Sequence, residues 1–104
     1  MEFTIKGPFK DNINNLTRKI GYCFEGKNNA EEELVFARPP RGYPRFHLFL
    51  RVDQKRNRII FDLHLDQKAP IYKGVAAHSA EYGSEVVKKE AERIKETIKK
   101  EIRL

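Results

Sequence analysis

The fold of this chain is decided by residues 45–66, which read RFHLFLRVDQKRNRIIFDLHLD. Apolar and polar residues alternate through both halves of this stretch, and the polar segment 54–57 separates the halves. A period of two residues is typical of a strand with one buried face. The stretch therefore predicts a β-hairpin with arms at 45–53 and 59–66.

The register of the hairpin follows from the same alternation. An even-numbered loop pairs residue 52 with 59, 50 with 61, 48 with 63 and 46 with 65, whereas an odd loop sets apolar against polar residues throughout. The polar face then places His47 opposite His64 and Arg45 opposite Asp66. The apolar face is predicted to be buried as a set: Phe46, Leu48, Leu50, Val52, Ile59, Phe61, Leu63 and Leu65.

The first third of the chain predicts three strands and a short helix. Phe3 and Ile5 alternate with polar neighbours, which indicates a first strand. Asp11 or Asn12 can cap a helix that ends at Gly21. The segments 22–25 and 34–37 are predicted to be strands joined by a turn at 26–29, with the cysteine at position 23 buried in the first of them.

The last third of the chain predicts a long amphipathic helix. Ser84 is a suitable N-cap, and an apolar stripe follows it at helical spacing. The stripe consists of Val87, Ala91, Ile94, Ile98 and Ile102. The predicted fold is α+β: a single domain, 1–104, built as a two-layer sandwich of four to five antiparallel strands, with the short N-terminal helix and the long C-terminal helix on one face.

Composition limits the protein class. The chain has 104 residues, of which 39% are hydrophobic and 35% charged, and this size and balance suit one folded domain. No apolar run exceeds about four residues, so we expect neither a signal peptide nor a membrane span. The single cysteine allows no internal disulfide, which predicts a reducing, cytoplasmic location.

The net charge of +6 is concentrated in residues 38–58, which contain seven basic side chains against Asp53 alone. Three prolines stiffen the loop at its start. An arginine cluster beside aromatic residues favours an anionic partner, because guanidinium groups grip phosphates and aromatic rings stack on bases. The leading hypothesis is a non-enzymatic nucleic-acid (RNA or DNA) binding module that uses Arg38, Arg41, Tyr43, Arg45, Phe49, Arg51, Lys55, Arg56 and Arg58. The alternative interpretation is that these charged side chains are solvated and only keep the hairpin soluble.

Two alternative hypotheses use other features. A protein-interaction or homodimerisation module would present Phe49 and Ile60 on an exposed sheet face. A small metal-dependent hydrolase would use His47, His64, Asp62 and Asp66, with His78 as a further metal ligand. Two facing histidines also occur as ordinary surface pairs, and the spacing of a zinc-protease helix is absent. No cofactor is predicted, because the six glycines stand singly and form no phosphate-binding loop.

Overall fold

The computed structural model describes residues 1–30, 32–67, 80–81 and 83–102. Within these residues the chain forms six strands and two helices. In chain order they are β1 (Glu2–Lys6), α1 (Ile13–Lys19), β2 (Cys23–Asn28), β3 (Glu33–Arg38), β4 (Arg45–Asp53), β5 (Arg58–Asp66), β6 (Ala80–Glu81) and α2 (Glu85–Ile102).

The strands form one antiparallel sheet in the order β1-β5-β4-β3-β2, and the short β6 pairs with the end of β5. The predicted α+β fold is confirmed, with β6 as an addition. The predicted hairpin register is also confirmed, since Phe46 pairs with Leu65, Leu48 with Leu63, Leu50 with Phe61 and Val52 with Ile59.

The core lies between one face of the sheet and the two helices. Leu48 and Leu63 are fully buried at its centre. The helix α1 contributes Leu16, and Ile20 follows at its end. The predicted stripe of α2 is confirmed from position 87 to 98, where Val87, Ala91, Ile94 and Ile98 are buried, while the side chain of Ile102 lies outside the described part of the chain.

The predicted helix ends are confirmed. Asn12 caps α1 by accepting a hydrogen bond from the backbone N–H of Asn15 at 2.9 Å. Gly21 follows the helix at a φ of +87°, a conformation that glycine adopts without steric strain. Ser84 caps α2, because its Oγ accepts from the Val87 N–H at 3.3 Å. None of the described helices is long and apolar enough to cross a membrane.

The predicted burial fails at one end of the hairpin. Val52 is 47% exposed beside the hairpin turn, although its cross-strand partner Ile59 is buried. There it lines a cleft of about 370 Å³ together with Phe9 and Ile13. At the other end Phe46 is half-buried and packs against the edge of the core.

Two predictions for the segment around β2 were wrong. The turn does not lie at 26–29: β2 continues to Asn28, and the chain reverses between Asn28 and Glu33. Cys23 is exposed instead of buried. The reason is that Tyr22 takes the buried side and side chains alternate along an extended chain, so Cys23 points the other way on a strand at the sheet edge.

Candidate metal centre on the outer face of the sheet

The polar side chains of the hairpin lie on the outer face of the sheet, which is the face opposite the helices. Directly opposed residues in an antiparallel pair share a face, with Cβ atoms about 4.5–5.5 Å apart. The structure confirms both predicted polar pairs, since Arg45 faces Asp66 and His47 faces His64, and it places Phe49 opposite Asp62 on the same face.

Three of these side chains converge on one point. His47 Nδ1 contacts Asp66 Oδ2, and His64 Nε2 lies 3.2 Å from the same oxygen. One ligand atom from each of the three residues lies within 4.8 Å of the other two. We call His47, His64 and Asp66 the His–Asp cluster. Its side chains are 15–24% exposed, so they are shielded without being sealed from solvent.

Glu25 is a neighbour of the cluster that the sequence analysis missed. A β-bulge between Phe24 and Gly26 leaves Glu25 without a partner on β3. Its Oε1 lies 2.9 Å from His47 Nε2, and its Oε2 contacts the guanidinium of Arg45. The two ring nitrogens of His47 therefore each have a carboxylate neighbour, with Asp66 on one side and Glu25 on the other.

The contacts of His47 Nε2 limit the positions that a proton on the ring can take. Arg45 Nη2 lies 3.1 Å from this nitrogen, but a guanidinium only donates hydrogen bonds and an ionised carboxylate only accepts them. One ring nitrogen cannot serve both groups. A proton on Nε2 that is donated to Glu25, with Arg45 bound to the same carboxylate, agrees with these contacts and would leave Nδ1 to hold a metal ion. Outer carboxylates that orient a metal-bound histidine in this way are common.

His64 is held in a partly apolar setting. The ring of Phe49 stacks on its imidazole with centroids 5.5 Å apart and an interplanar angle of 27°. Burial lowers the pKa of His64 below its usual range, although the carboxylate of Asp66 opposes this shift. The environment thus favours the neutral ring.

The metal-dependent hypothesis named two further residues, Asp62 and His78. Asp62 lies on the same face, but its Oδ1 is 3.4 Å from the amino group of Met1, and it is not among the converging donors. His78 lies outside the described residues.

The structure does not gather the cations of 38–58 on one surface. Arg45 and Arg51 are on the outer face, Lys55 and Arg56 are at the hairpin turn, and Arg38 pairs with core-facing Phe46.

Most of the cations of 38–58 also contact a carboxylate. The pairs are Arg38 with Glu90, Arg45 with Glu25, Arg51 with Glu2 and Glu33, and Arg56 and Arg58 with Asp53. Desolvation raises the pKa of Asp53, but the hydrogen bonds from Arg56 and Arg58 together outweigh it and hold this pKa below its usual range. Carboxylates from outside the segment therefore compensate three of its cations, Arg38, Arg45 and Arg51, so the local surplus of positive charge is partly compensated in three dimensions.

The remaining predicted contact residues differ in their accessibility. Arg41 and Lys55 are exposed, and no ion pair involves them among the described residues. Tyr43 is 40% exposed, with the guanidinium of Arg45 lying 5.4 Å from its ring centroid. Phe49 and Ile60, which were predicted to be exposed, are half-buried.

Comparisons with protein-family models, curated proteins and solved structures give no match to this chain. The functional proposals below therefore depend on the geometry of the described residues alone.

Proposed function

We propose that the protein binds a divalent transition-metal ion at the His–Asp cluster. The observation that supports this proposal is the convergence of two imidazoles and a carboxylate within 4.8 Å on two adjacent strands. Imidazole and carboxylate ligands suit zinc, and two histidines with one carboxylate also bind iron(II). Paired strands hold such ligands more firmly than a loop does.

The number of ligands favours a reactive centre over a structural one. Structural zinc sites are closed by four protein ligands, whereas catalytic sites use three and keep a position for water or substrate. The described residues supply three, with Glu25 behind His47 as the orienting carboxylate. A metal ion in such a site lowers the pKa of bound water, so metal-dependent hydrolysis is the reaction class we propose.

Zinc titration tests the metal centre. We expect the wild-type protein to bind zinc with one-to-one stoichiometry in competition with a chromophoric chelator. Asp66→Asn should weaken binding at least about 100-fold, because it removes a ligand, and Glu25→Gln should weaken it by about 10–100-fold, as other outer-shell changes do. Asp62→Asn is the matched control, on the same strand and face but outside the cluster. Absence of zinc binding, or equal effects of the two aspartate substitutions, would contradict the proposal.

Nucleic-acid binding by the arginine-rich segment stays a prediction. The observation in its favour is the exposure of Arg41 and Lys55, which leaves both side chains accessible to a phosphate. We expect a fluorescent oligonucleotide to bind at low salt. Replacing both residues by glutamine should reduce the slope of log K against log salt by about 0.7–0.9 for each phosphate that the protein no longer neutralises.

The control for this experiment removes the same charge elsewhere. Lys89 and Lys99 are exposed on α2, and their replacement by glutamine should leave the slope almost unchanged if the site is correctly placed. Absence of wild-type binding at low salt would contradict the nucleic-acid hypothesis. Equally weakened binding in both double variants would contradict only the proposed location.

Homodimerisation through the sheet face also stays a prediction, which the solution mass at increasing concentration would test. The large exposed apolar side chains of the described residues are Phe24, Tyr43, Val52 and Val86, and they do not include Phe49 or Ile60. A reducing cytoplasmic location, in keeping with the free thiol of Cys23, is likewise a prediction.

A further inference from the structure

Arg45 lies beside the His–Asp cluster with an unused hydrogen-bond donor. It faces Asp66 across the strands and precedes His47 by two residues on the same face of β4. Its side chain is only 13% exposed, and its Nε is a buried atom without a hydrogen-bond partner among the described residues. Buried guanidinium donors are normally satisfied, so this Nε–H is left over for an acceptor that the described residues do not provide.

The formal charges around the cluster identify the kind of acceptor. A divalent ion contributes +2, Asp66 contributes −1, and two neutral imidazoles contribute nothing. Arg45 and Glu25 compensate each other, and Asp62 is not among the converging donors. The loaded centre then has a net charge of about +1, which a monoanionic ligand neutralises. A phosphodiester carries one negative charge, whereas a phosphate monoester carries about −1.5 to −2 at neutral pH.

The chemistry of Arg45 and the neighbouring rings also suits a phosphodiester. A guanidinium N–H forms a charge-assisted hydrogen bond to a phosphate oxygen, and Nε–H is the donor of Arg45 that remains after Nη1 contacts Pro40 O and Nη2 contacts Glu25. Tyr43 lies against the guanidinium at 5.4 Å, and Phe49 lies against His64 at 5.5 Å, so aromatic rings stand on both sides of the cluster. Flat substituents of a diester, such as nucleobases, stack on rings of this kind.

We propose that the metal centre binds a phosphodiester, with the phosphate held between the metal ion and the guanidinium of Arg45. This inference rests on the proposed metal site. It assigns Arg45 to oxyanion binding at one metal centre, and it requires no continuous basic surface.

The test uses the zinc-loaded protein with dimethyl phosphate and a dinucleoside monophosphate as probes, measured by calorimetry at saturating zinc. We expect both probes to bind, and Arg45→Gln to weaken binding at least about 10-fold, as expected when hydrogen bonds between charged groups are removed. Arg45→Lys, which keeps the charge but lacks the Nε–H, should show a smaller decrease in affinity. The matched control is Arg51→Gln, on the same strand and face, which should have little effect.

The outcomes separate this inference from the metal proposal. If zinc does not bind, the metal proposal is wrong and this inference falls with it. If zinc binds but neither diester does, or if Arg45→Gln and Arg51→Gln weaken binding equally, only this inference is overturned. Similar affinities for the two probes support recognition of the phosphate group itself, and tighter binding of the dinucleoside supports nucleic acid as the source of the diester.

Discussion

Replacing Phe61 by alanine should lower the free energy of unfolding by about 3–5 kcal/mol, the usual cost of truncating a buried aromatic side chain. Phe61 lies on β5, between β1 and β4, and is 1% exposed. Its ring stacks on Phe3 with centroids 4.9 Å apart, and it faces Leu50 across the hairpin. Both strands and the helix layer close around the ring, so the space left by its removal cannot be refilled without moving the sheet.

Urea unfolding followed by circular dichroism measures this change. Phe24→Ala is the matched control, since it removes the same side chain from a position that is 57% exposed on the edge strand β2. This substitution removes the edge-on packing of Phe24 against Phe36, and we expect a cost below about 1 kcal/mol. Equal destabilisation by the two substitutions would show that Phe61 does not belong to the principal core.

The hairpin could be predicted from the sequence because its register has few alternatives. A shift of one residue moves every apolar side chain to the solvent face. The alternation of residues 45–66 therefore allows only a loop with an even number of residues. The cross-strand neighbours His47 and His64 then follow from the same pattern. The stripe of α2 was predictable for a similar reason, since spacings of three and four place its residues on one helix face.

The contribution of Glu25 could not be predicted, because it depends on a bulge in a different strand. Periodicity does not show where β2 departs from regular pairing, and Glu25 is 22 residues from His47 in sequence. The pairing of arginines with carboxylates from outside residues 38–58 could not be predicted for a similar reason, because the partners are distant in sequence. Arg38 and Glu90 are 52 residues apart, so a count of charges along the chain does not show which cations the fold pairs with carboxylates.

The second large effect is expected at Glu90, which joins α2 to the strands. Its carboxylate is 5% exposed and accepts hydrogen bonds from Tyr22 Oη at 2.6 Å, Arg93 Nε at 2.7 Å and Arg38 Nη1 at 3.2 Å. Removing one member of a buried ion pair typically costs about 3–5 kcal/mol. Both arginines keep some contact with water, so we expect Glu90→Gln to cost about 3 kcal/mol, the lower end of that range.

The pH dependence of this destabilisation follows from the pKa values. Burial on its own raises the pKa of Glu90, but the hydrogen bonds from Arg93 and Tyr22, with the charges of Arg93 and Arg38, outweigh it, so the pKa lies below its usual range. Burial and the Glu90 carboxylate raise the pKa of Tyr22 well above its usual range, so its hydroxyl stays a donor. A carboxyl with a lowered pKa stabilises the fold above its unfolded pKa, and this contribution disappears as pH falls through the folded pKa.

The wild-type protein should therefore exceed Glu90→Gln in stability by a constant amount from about pH 5.5 to 8, measured by urea unfolding. The difference should shrink as pH falls below about 4.3, the reference pKa of glutamic acid. Glu92→Gln is the matched control on the same helix, because its carboxylate is 67% exposed and pairs only with Lys95 among the described residues. We expect that control to stay within about 0.5 kcal/mol of the wild type. The contrary result is a stability difference between the wild type and Glu90→Gln that stays the same below about pH 4. That result would show that the shape of the Glu90 side chain, and not its charge, holds α2 against the strands.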